Sequence, residues 1–336
     1  MNLGEQTGQQ TGQQTMDWIY TTQLQVDDEW AVRTPTGFTW WADQNAQTIE
    51  IVGQDTGPDG QPGFTIGVRT EMLADLELTD AALAELNEGP MRCAAMDGPV
   101  YDAQTRTLSL CSLVRVHEEI APWMRILIST AAVLQIAEAR LLGPVLAEQL
   151  GARPATSGHP DNGPRPQPDD MAFTAGVFLE QGKQPCTWPE EEFEESVQRY
   201  MTAPPAVSAA SAGSGLAVEF PFGDQTSLCR LTGEQPHPIY GNGLLIVQRW
   251  PMSADTPALG IRMALDLNAS DLTRQVAGYG FGSYAYVDDM ICFTGFLPNP
   301  LRSPGLLPSV YFSCATRAHS MAIRLLNRPW SPTITA

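Results

Sequence analysis

The first half of the fold is decided by the stretch GFTWWADQNAQTIEIVG, residues 37–53, together with GFTIGVRTE, residues 63–71. The apolar residues in these stretches are mostly β-branched or aromatic, which is typical of strands. Turn residues such as Asp55, Gly57 and Gly60 separate them. The sequence therefore predicts a meander of three strands.

Two helices and two more strands complete the first predicted unit. Thr79 is placed to cap a short helix, DAALAELN, that stops at Gly89 and Pro90. Strands follow around residues 96–101 and 107–116, and a long helix from about residue 119 to residue 150 closes the unit. That helix is apolar nearly all round, so more than one of its faces must be buried. We expect one face on its own sheet and the other against the matching helix of a second unit or a second chain.

The second half repeats the same order of elements. Strands are predicted to begin near Gly215, Thr226, Gly243, Gly282 and Asp289, with a short helix near residues 269–277 and a last helix over about 308–326. Two β-β-β-α-β-β-α strings with similar spacing indicate a duplication. The predicted fold class is α+β, with two tandem units that each pack an antiparallel sheet on helices and together form an intramolecular pseudo-dimer. Two unrelated halves that share a common element order are the alternative.

Weakly structured stretches set the predicted domain boundaries. The repeat TGQQTGQQT offers no apolar face, so residues 1–15 are predicted to be a disordered tail. Residues 152–170 are dense in Pro, Gly and Asp, which is typical of a linker. The first chaperone-like unit is then predicted over residues 16–151 and the second over residues 171–330.

Composition excludes several classes of function. The 336 residues carry a net charge of −19, with 43% apolar and 17% charged residues. Phosphate polyanions and anionic membranes would be repelled, so neither nucleic acid nor membrane is expected as a partner. The six cysteines are dispersed without metal-ligand spacing, and no signal peptide precedes them, which favours reduced thiols in the cytoplasm. The most apolar stretch, residues 121–139, contains Arg125 and Glu138 and is predicted to be a buried helix rather than a membrane span.

No motif points to a catalytic residue, a metal site or a cofactor. The glycine-rich stretch at residues 278–284 lacks the lysine of a phosphate-binding loop and lies between a helix and a strand, so we interpret it as a turn. The acidic run at residues 187–201 is interpreted as a helix in which Thr187 and Glu190 form a capping box. The adjacent acids Asp288 and Asp289 would point to opposite faces of a strand, which does not suit a catalytic carboxylate pair.

Aromatic side chains are the predicted partner-binding residues. Trp40 and Trp41 are neighbours on one strand, so one of the two should face away from the core and could anchor a partner. Cover by the N-terminal segment or by the other unit is the alternative for the second tryptophan. The predicted binding set takes in both tryptophans, the aromatics that end the matching strand of the second unit, and part of the long helix: Trp40, Trp41, Phe220, Phe222, Trp123, Met124 and Ile128.

The element order and the string EWAVRTPTGFTWWADQNAQTIEI, residues 29–51, resemble actinobacterial proteins of the type III secretion chaperone-like superfamily. This group includes the YbjN-type proteins and is also called TY-Chap. The resemblance implies a non-enzymatic fold that binds segments of client proteins along sheet and helix surfaces, often as a dimer. The first unit departs from the pattern because its sequence shows no clear opening helix.

These observations predict a non-enzymatic, cytoplasmic chaperone or adaptor whose partner is a client protein, with a homodimer as an option. Addition of a client segment to a sheet edge is the expected mode of binding. One alternative is an enzyme whose site forms between the two units from His117, His319, Asp288 and Cys314. Another is a regulatory protein with one fixed partner.

Overall fold

The computed structural model describes residues 3–56, 60, 62–175, 185–186, 188–200, 208–209, 215–273 and 281–326. The chain has an α+β fold with two compact units, as predicted. The first unit is formed by Met1–Glu77, Pro99–Val177 and Leu272–Val276. The second is formed by Leu78–Gly98, Phe178–Asp271 and Ala277–Ala336.

The first repeat of the chain contains three helices and six strands of the main sheet. The helices are α1 (Leu3–Trp18), α2 (Asp80–Arg92) and α3 (Ala121–Leu150). The strands are β1 (Ala31–Arg33), β2 (Gly37–Trp40), β3 (Gln47–Thr56), β4 (Pro62–Ala74), β5 (Gly98–Asp102) and β6 (Thr107–His117). A short strand, β7 (Arg153–Pro154), pairs with β4 beside this sheet.

The second repeat has the same element order. Its helices are α4 (Glu190–Tyr200), α5 (Pro257–Thr273) and α6 (Leu306–Leu326). Its strands are β8 (Ser208–Ala209), β9 (Gly215–Phe222), β10 (Gln225–His237), β11 (Gly241–Pro251), β12 (Ser283–Val287) and β13 (Met290–Pro298). The predicted capping residue Thr187 lies outside the described residues, as do residues 278–280 of the glycine-rich stretch at 278–284.

The two sheets also share their strand order. In the first unit the order is β1-β2-β3-β4-β6-β5, and in the second it is β8-β9-β10-β11-β13-β12. Neighbouring strands run antiparallel, with Phe38 opposite Ile49 in the first sheet and Leu231 opposite Ile246 in the second. An identical order in both sheets supports the predicted duplication, because unrelated halves would not need to match strand by strand.

The predicted disordered tail is wrong, because residues Leu3–Trp18 form helix α1 and the unit therefore has an opening helix. Thr15 and Met16 are buried, and α1 packs on α3 and β4. A Cβ on Gly12 would come within 3.1 Å of the Ile51 Cδ1 atom. The absence of a side chain at this position therefore lets a glutamine-rich helix approach the sheet closely.

Helix α3 has buried residues on more than one face, as predicted, and it packs against elements of its own unit. Its neighbours are the sheet, α1 and the helical turn Ile19–Gln23 that continues α1. Within the described residues it is the one helix long and apolar enough to cross a membrane, and 61% of its most apolar window is buried. The helix ends at Gly151, which adopts the left-handed conformation with φ of 66°.

The predicted linker at residues 152–170 is also wrong, because this segment packs on the first sheet. The Ala155 N–H donates to the Met72 carbonyl of β4 (2.9 Å), and the Asp169 N–H donates to the Ala42 carbonyl in the turn after β2 (2.7 Å). His159 is buried. Proline and glycine here therefore shape an ordered covering segment of the first unit.

Helix α2 departs most from the predicted domains, because it belongs to the second compact unit although it is encoded in the first repeat. Thr79 caps it as predicted, accepting a hydrogen bond from the Ala82 N–H at 3.2 Å. The helix continues through Gly89 and Pro90 instead of stopping there. Leu83 and Leu86 are buried, and the helix packs on β12.

Candidate protein-binding site

The aromatic residues predicted to bind a partner are core residues. Trp40 is fully buried and donates from Nε1 to the Gln47 Oε1 atom at 2.9 Å. Phe220 and Phe222 are buried in the second unit, where Phe222 packs with Trp250 and Tyr284. The prediction of exposed anchors at these positions is therefore wrong.

Trp41 does face away from the helices, but the 152–170 segment covers it. Its Nε1 donates to the Ser157 Oγ atom at 3.2 Å, and its ring meets the edge of His159 at 5.1 Å. Only 6% of its surface is exposed. The predicted linker is thus the cover that removes this tryptophan from solvent.

The predicted residues on α3 are likewise not a surface. Met124 and Ile128 are buried, and Trp123 is half-buried. The large apolar side chains that α3 does expose are Ile126 near its start and Leu141, Leu142 and Val145 near its other end.

The residues of the enzyme alternative are divided between the two units. His117 belongs to the first unit, and the other three belong to the second. Cys314 is buried, whereas Asp288 and His319 are exposed. Within the described chain, moreover, no group of three His, Cys, Asp or Glu side chains is arranged to hold a metal ion.

A cysteine and a histidine meet in the second unit, where Cys93 Sγ lies 3.3 Å from His237 Nε2. The histidine Nδ1 accepts the N–H groups of Ile239 (3.1 Å) and Tyr240 (2.9 Å). The proton must then sit on Nε2, which also lies 2.9 Å from the Ala94 carbonyl oxygen. This histidine therefore holds a turn and has no free lone pair with which to deprotonate the thiol.

Buried polar side chains in the second unit are also used structurally. Tyr284 donates to Asp271 at 2.6 Å, and Arg324 pairs with the same carboxylate. Arg317 is buried, donates to Gln248 at 2.9 Å and lies 3.7 Å above the Phe293 ring. These groups tie helices α5 and α6 to the sheet.

In the first unit, the buried polar side chain that joins helix α3 to the sheet is the uncharged Gln135. Gln135 on α3 donates to Ser112 at 2.9 Å and accepts from the Thr70 hydroxyl at 2.9 Å. Such satisfied networks fix helix position on a sheet and need no ligand.

One edge of the second sheet is closed by two asparagine side chains. Asn87 on α2 donates to the Tyr286 carbonyl (2.8 Å) and accepts its N–H (2.7 Å). Asn268 on α5 does the same for Tyr284, at 3.1 and 2.7 Å. The outward backbone groups at these two positions of β12 are therefore already paired, and a client strand could not add to them.

The β1 edge of the first sheet is open by contrast. The Trp41 N–H bonds to the Trp30 carbonyl at 2.9 Å, and Thr34 and Gly37 bond to each other at the far end of the same pair. Because bonded and non-bonded pairs alternate along an antiparallel ladder, Ala31 and Arg33 point their N–H and C=O groups away from β2. Among the residues that the structure describes, no hydrogen bond reaches those outward groups.

Two surface pockets flank β1. The Trp30 pocket has a volume of about 380 Å³ and is lined by Trp30, Arg165, Pro166, Gln167, Pro168, Asp169 and Asp170. The Tyr20 pocket has a volume of about 620 Å³ and is lined by Tyr20, Thr21, Gln25, Val26, Asp28 and Arg33. An open strand edge with a pocket on either side can hold an extended chain segment.

The Tyr20 pocket is organised around one phenol. The Arg33 guanidinium lies 3.9 Å above the Tyr20 ring, and the Tyr20 hydroxyl donates to Asp28. Burial first, and then the hydrogen bond to Asp28, raise the pKa of Tyr20. The phenol is therefore a neutral donor at physiological pH.

The sequence analysis did not predict the open β1 edge or the closing of β12 by Asn87 and Asn268. The residues AVR at positions 31–33, followed by a TPTG turn and GFTW, are a hairpin signal that could have located β1. No sequence signal assigns Asn87 to a strand in the other repeat, because that contact joins residues far apart in the chain.

Comparison of the chain with protein-family models, with curated proteins and with solved structures found no match. The resemblance to the type III secretion chaperone-like superfamily therefore stays a prediction.

Proposed function

We propose that this protein is a non-enzymatic chaperone or adaptor that holds an extended segment of a client protein by strand addition to β1. The observation that carries the proposal is the set of outward N–H and C=O groups on Ala31 and Arg33, which lie between two pockets. Main-chain hydrogen bonds to such an edge give affinity, and pockets for alternate side chains give selectivity.

The closed β12 edge supports this choice of surface. Proteins normally protect strand edges, because an unpaired edge also pairs with unwanted chains. Asn87 and Asn268 supply that protection in the second sheet, whereas β1 stays open. The net charge of −19 keeps a protein with an open edge soluble through self-repulsion.

The polar clusters described above favour binding over catalysis. The Nδ1 atom of His237 accepts hydrogen bonds from the backbone N–H groups of a turn, and Cys314 is buried away from solvent. A catalytic site needs a reactive group beside a base with a free lone pair, in a cleft that admits substrate. The clusters of the second unit do not meet that requirement.

Hydrogen–deuterium exchange on the full chain tests the proposal, with reduced and alkylated ribonuclease A as a permanently unfolded, basic client. We expect slower exchange at the amides of Ala31 and Arg33 when the client is present, because these outward N–H groups gain acceptors. Residues 283–287 serve as the internal control and should not change. Protection confined to the exposed part of α3 around Leu141, or no protection at all, would overturn strand addition at β1.

A further inference from the structure

We infer that the segment held at β1 carries two basic side chains three residues apart, one for each pocket. This inference rests on the strand addition proposed above and names the chemistry of its client. Its basis is the position of the two pockets on opposite faces of the sheet and the exposed carboxylate that lines each of them.

The Tyr20 pocket lies on the helix-covered face of the sheet. Arg33 stands opposite Phe38 in the β1–β2 register, and both side chains contact the Tyr20 ring, at 3.9 and 4.8 Å. Residues opposite each other in an antiparallel pair share a face. Side chains of an added strand that point to this face would therefore reach the Tyr20 pocket.

The Trp30 pocket lies on the other face. Trp30 is bonded to Trp41 across the hairpin, and both rings contact His159, at 6.2 and 5.1 Å. Trp30 and Arg33 are an odd number of positions apart, so their side chains point to opposite faces. A rise of about 3.3 Å per residue gives the same spacing in an added strand.

Carboxylates outnumber cations in the Trp30 pocket. Arg165 is mostly buried and already pairs with Asp27 at 3.6 Å and Asp169 at 3.1 Å. Asp170 is exposed on the same rim. A lysine or arginine entering here would meet the exposed Asp170 carboxylate beside Trp30, whose ring already lies 5.4 Å from the Arg165 guanidinium.

The Tyr20 pocket is lined by one carboxylate, Asp28, and one cation, Arg33. Its one cation, Arg33, lies 4.0 Å from the Asp17 carboxylate. Asp28 is exposed at the pocket wall, with Glu29 beside it in the chain. The arginine is thus matched by Asp17, and Asp28 is left to attract a second basic side chain.

Fluorescence anisotropy with labelled octapeptides tests the inference on the full chain. The probe is Val-Thr-Lys-Val-Thr-Lys-Val-Thr, and matched peptides carry Gln or Glu in place of both lysines. A fourth peptide keeps the lysines but is N-methylated at alternate backbone nitrogens, so it cannot pair with a strand edge. We expect the lysine peptide to bind about two- to thirtyfold more tightly than the glutamine peptide, as two exposed ion pairs allow. The difference should shrink in 0.5 M salt, where the Debye length is only about 4 Å.

The four peptides test strand addition and the preference for a basic client separately. If the glutamine peptide binds as tightly as the lysine peptide and N-methylation abolishes binding, strand addition stands and the basic client is overturned. If the N-methylated lysine peptide binds as well as its parent, attraction is purely electrostatic and strand addition fails. Absence of binding by all four peptides would overturn both.

A matched pair of double variants tests whether the carboxylates of the two pockets beside β1 cause the preference for lysine. Asp28→Asn with Asp170→Asn removes one exposed carboxylate from each pocket and keeps side-chain shape, so the preference for lysine over glutamine should fall to near parity. Glu219→Gln with Asp224→Asn removes the same charge from exposed positions of the second unit and should leave the preference unchanged. Equal loss of preference in both double variants would show that net charge, and not the β1 pockets, selects the peptide.

Discussion

The side-chain amide of Asn87 replaces a neighbouring strand for Tyr286, bonding to its carbonyl at 2.8 Å and its N–H at 2.7 Å. Asn87 is buried and lies on a helix from the first repeat, whereas Tyr286 lies on the edge strand of the second sheet. One side chain therefore ties helix α2 to the second unit and closes the edge at that residue.

Replacing Asn87 with alanine should destabilise the second unit and open its edge. Two buried backbone groups of Tyr286 would lose their partners, which costs about 2–4 kcal/mol in the free energy of unfolding. We also expect concentration-dependent self-association. Urea denaturation and light scattering measure the two effects. The control is Asn162→Ala, which removes one exposed hydrogen bond, at 2.6 Å to the Glu29 carbonyl, and should change stability by less than about 1 kcal/mol. A monomeric Asn87→Ala variant of normal stability would contradict the clamp.

Because Trp41 is covered, we expect its replacement to reduce the stability of the protein and not its binding of a client. Trp41→Ala should lower the free energy of unfolding by about 3–5 kcal/mol, because it empties a packed site beneath Ser157 and His159. Thermal melts followed by circular dichroism provide the measurement. The exposed Phe173→Ala variant is the control and should melt within a few degrees of the parent. A stable Trp41→Ala protein that no longer binds the lysine peptide would restore this residue as a surface anchor.

The buried carboxyl of Asp97 predicts that the stability of the protein falls as pH rises. Burial raises the pKa of this carboxyl to about 7 from its ordinary 3.8. The folded state thus holds a proton that the unfolded state releases, and stability falls as pH rises from about 4 through 7. Asp97→Asn removes the cost of ionising this group and should stabilise the protein at pH 8 by on the order of a few kcal/mol.

Chemical denaturation of the parent and of Asp97→Asn at pH 5 and pH 8 tests this prediction. The exposed Asp224→Asn variant should follow the parent at both values of pH. If Asp97→Asn keeps the pH dependence of the parent, Asp97 does not retain its proton in the folded state.

His237 predicts a pH dependence of the opposite sign. Burial lowers the pKa of this imidazole, while its hydrogen bond to the Ala94 carbonyl opposes the shift. The folded state therefore binds fewer protons than the unfolded state, and stability falls as pH drops below the ordinary value of 6.5. Protonation of Nδ1 would also break its bonds from Ile239 and Tyr240.

We expect His237→Gln to melt at a lower temperature than the parent at pH 7.5 and to lose less on going to pH 5.5. The exposed His319→Gln variant controls for removal of a histidine and should retain the parent's response to acid. An unchanged acid response in His237→Gln would show that another group controls stability in this range.

Local pattern was enough to locate most elements of secondary structure. The strands predicted from residues 47–53 and 107–116 are β3 and β6, and Thr79 caps α2 at the predicted residue. Alternation, apolar runs and caps depend on neighbours within a few residues, so a single sequence contains them. Local pattern failed at α1, because its glutamine-rich sequence becomes a helix through packing against α3 and β4.

The sequence by itself determined the α+β class, the repeated order of elements and the acidic charge, since each of these depends only on composition and on short-range periodicity. Tertiary structure alone decided which faces are covered and which edges are open. Trp41 is buried by Ser157 and His159, and β12 is closed by Asn87, through contacts between residues far apart in the chain. Because a strand pattern shows that a side chain leaves the core face but not what lies above it, the open β1 edge became visible only in three dimensions.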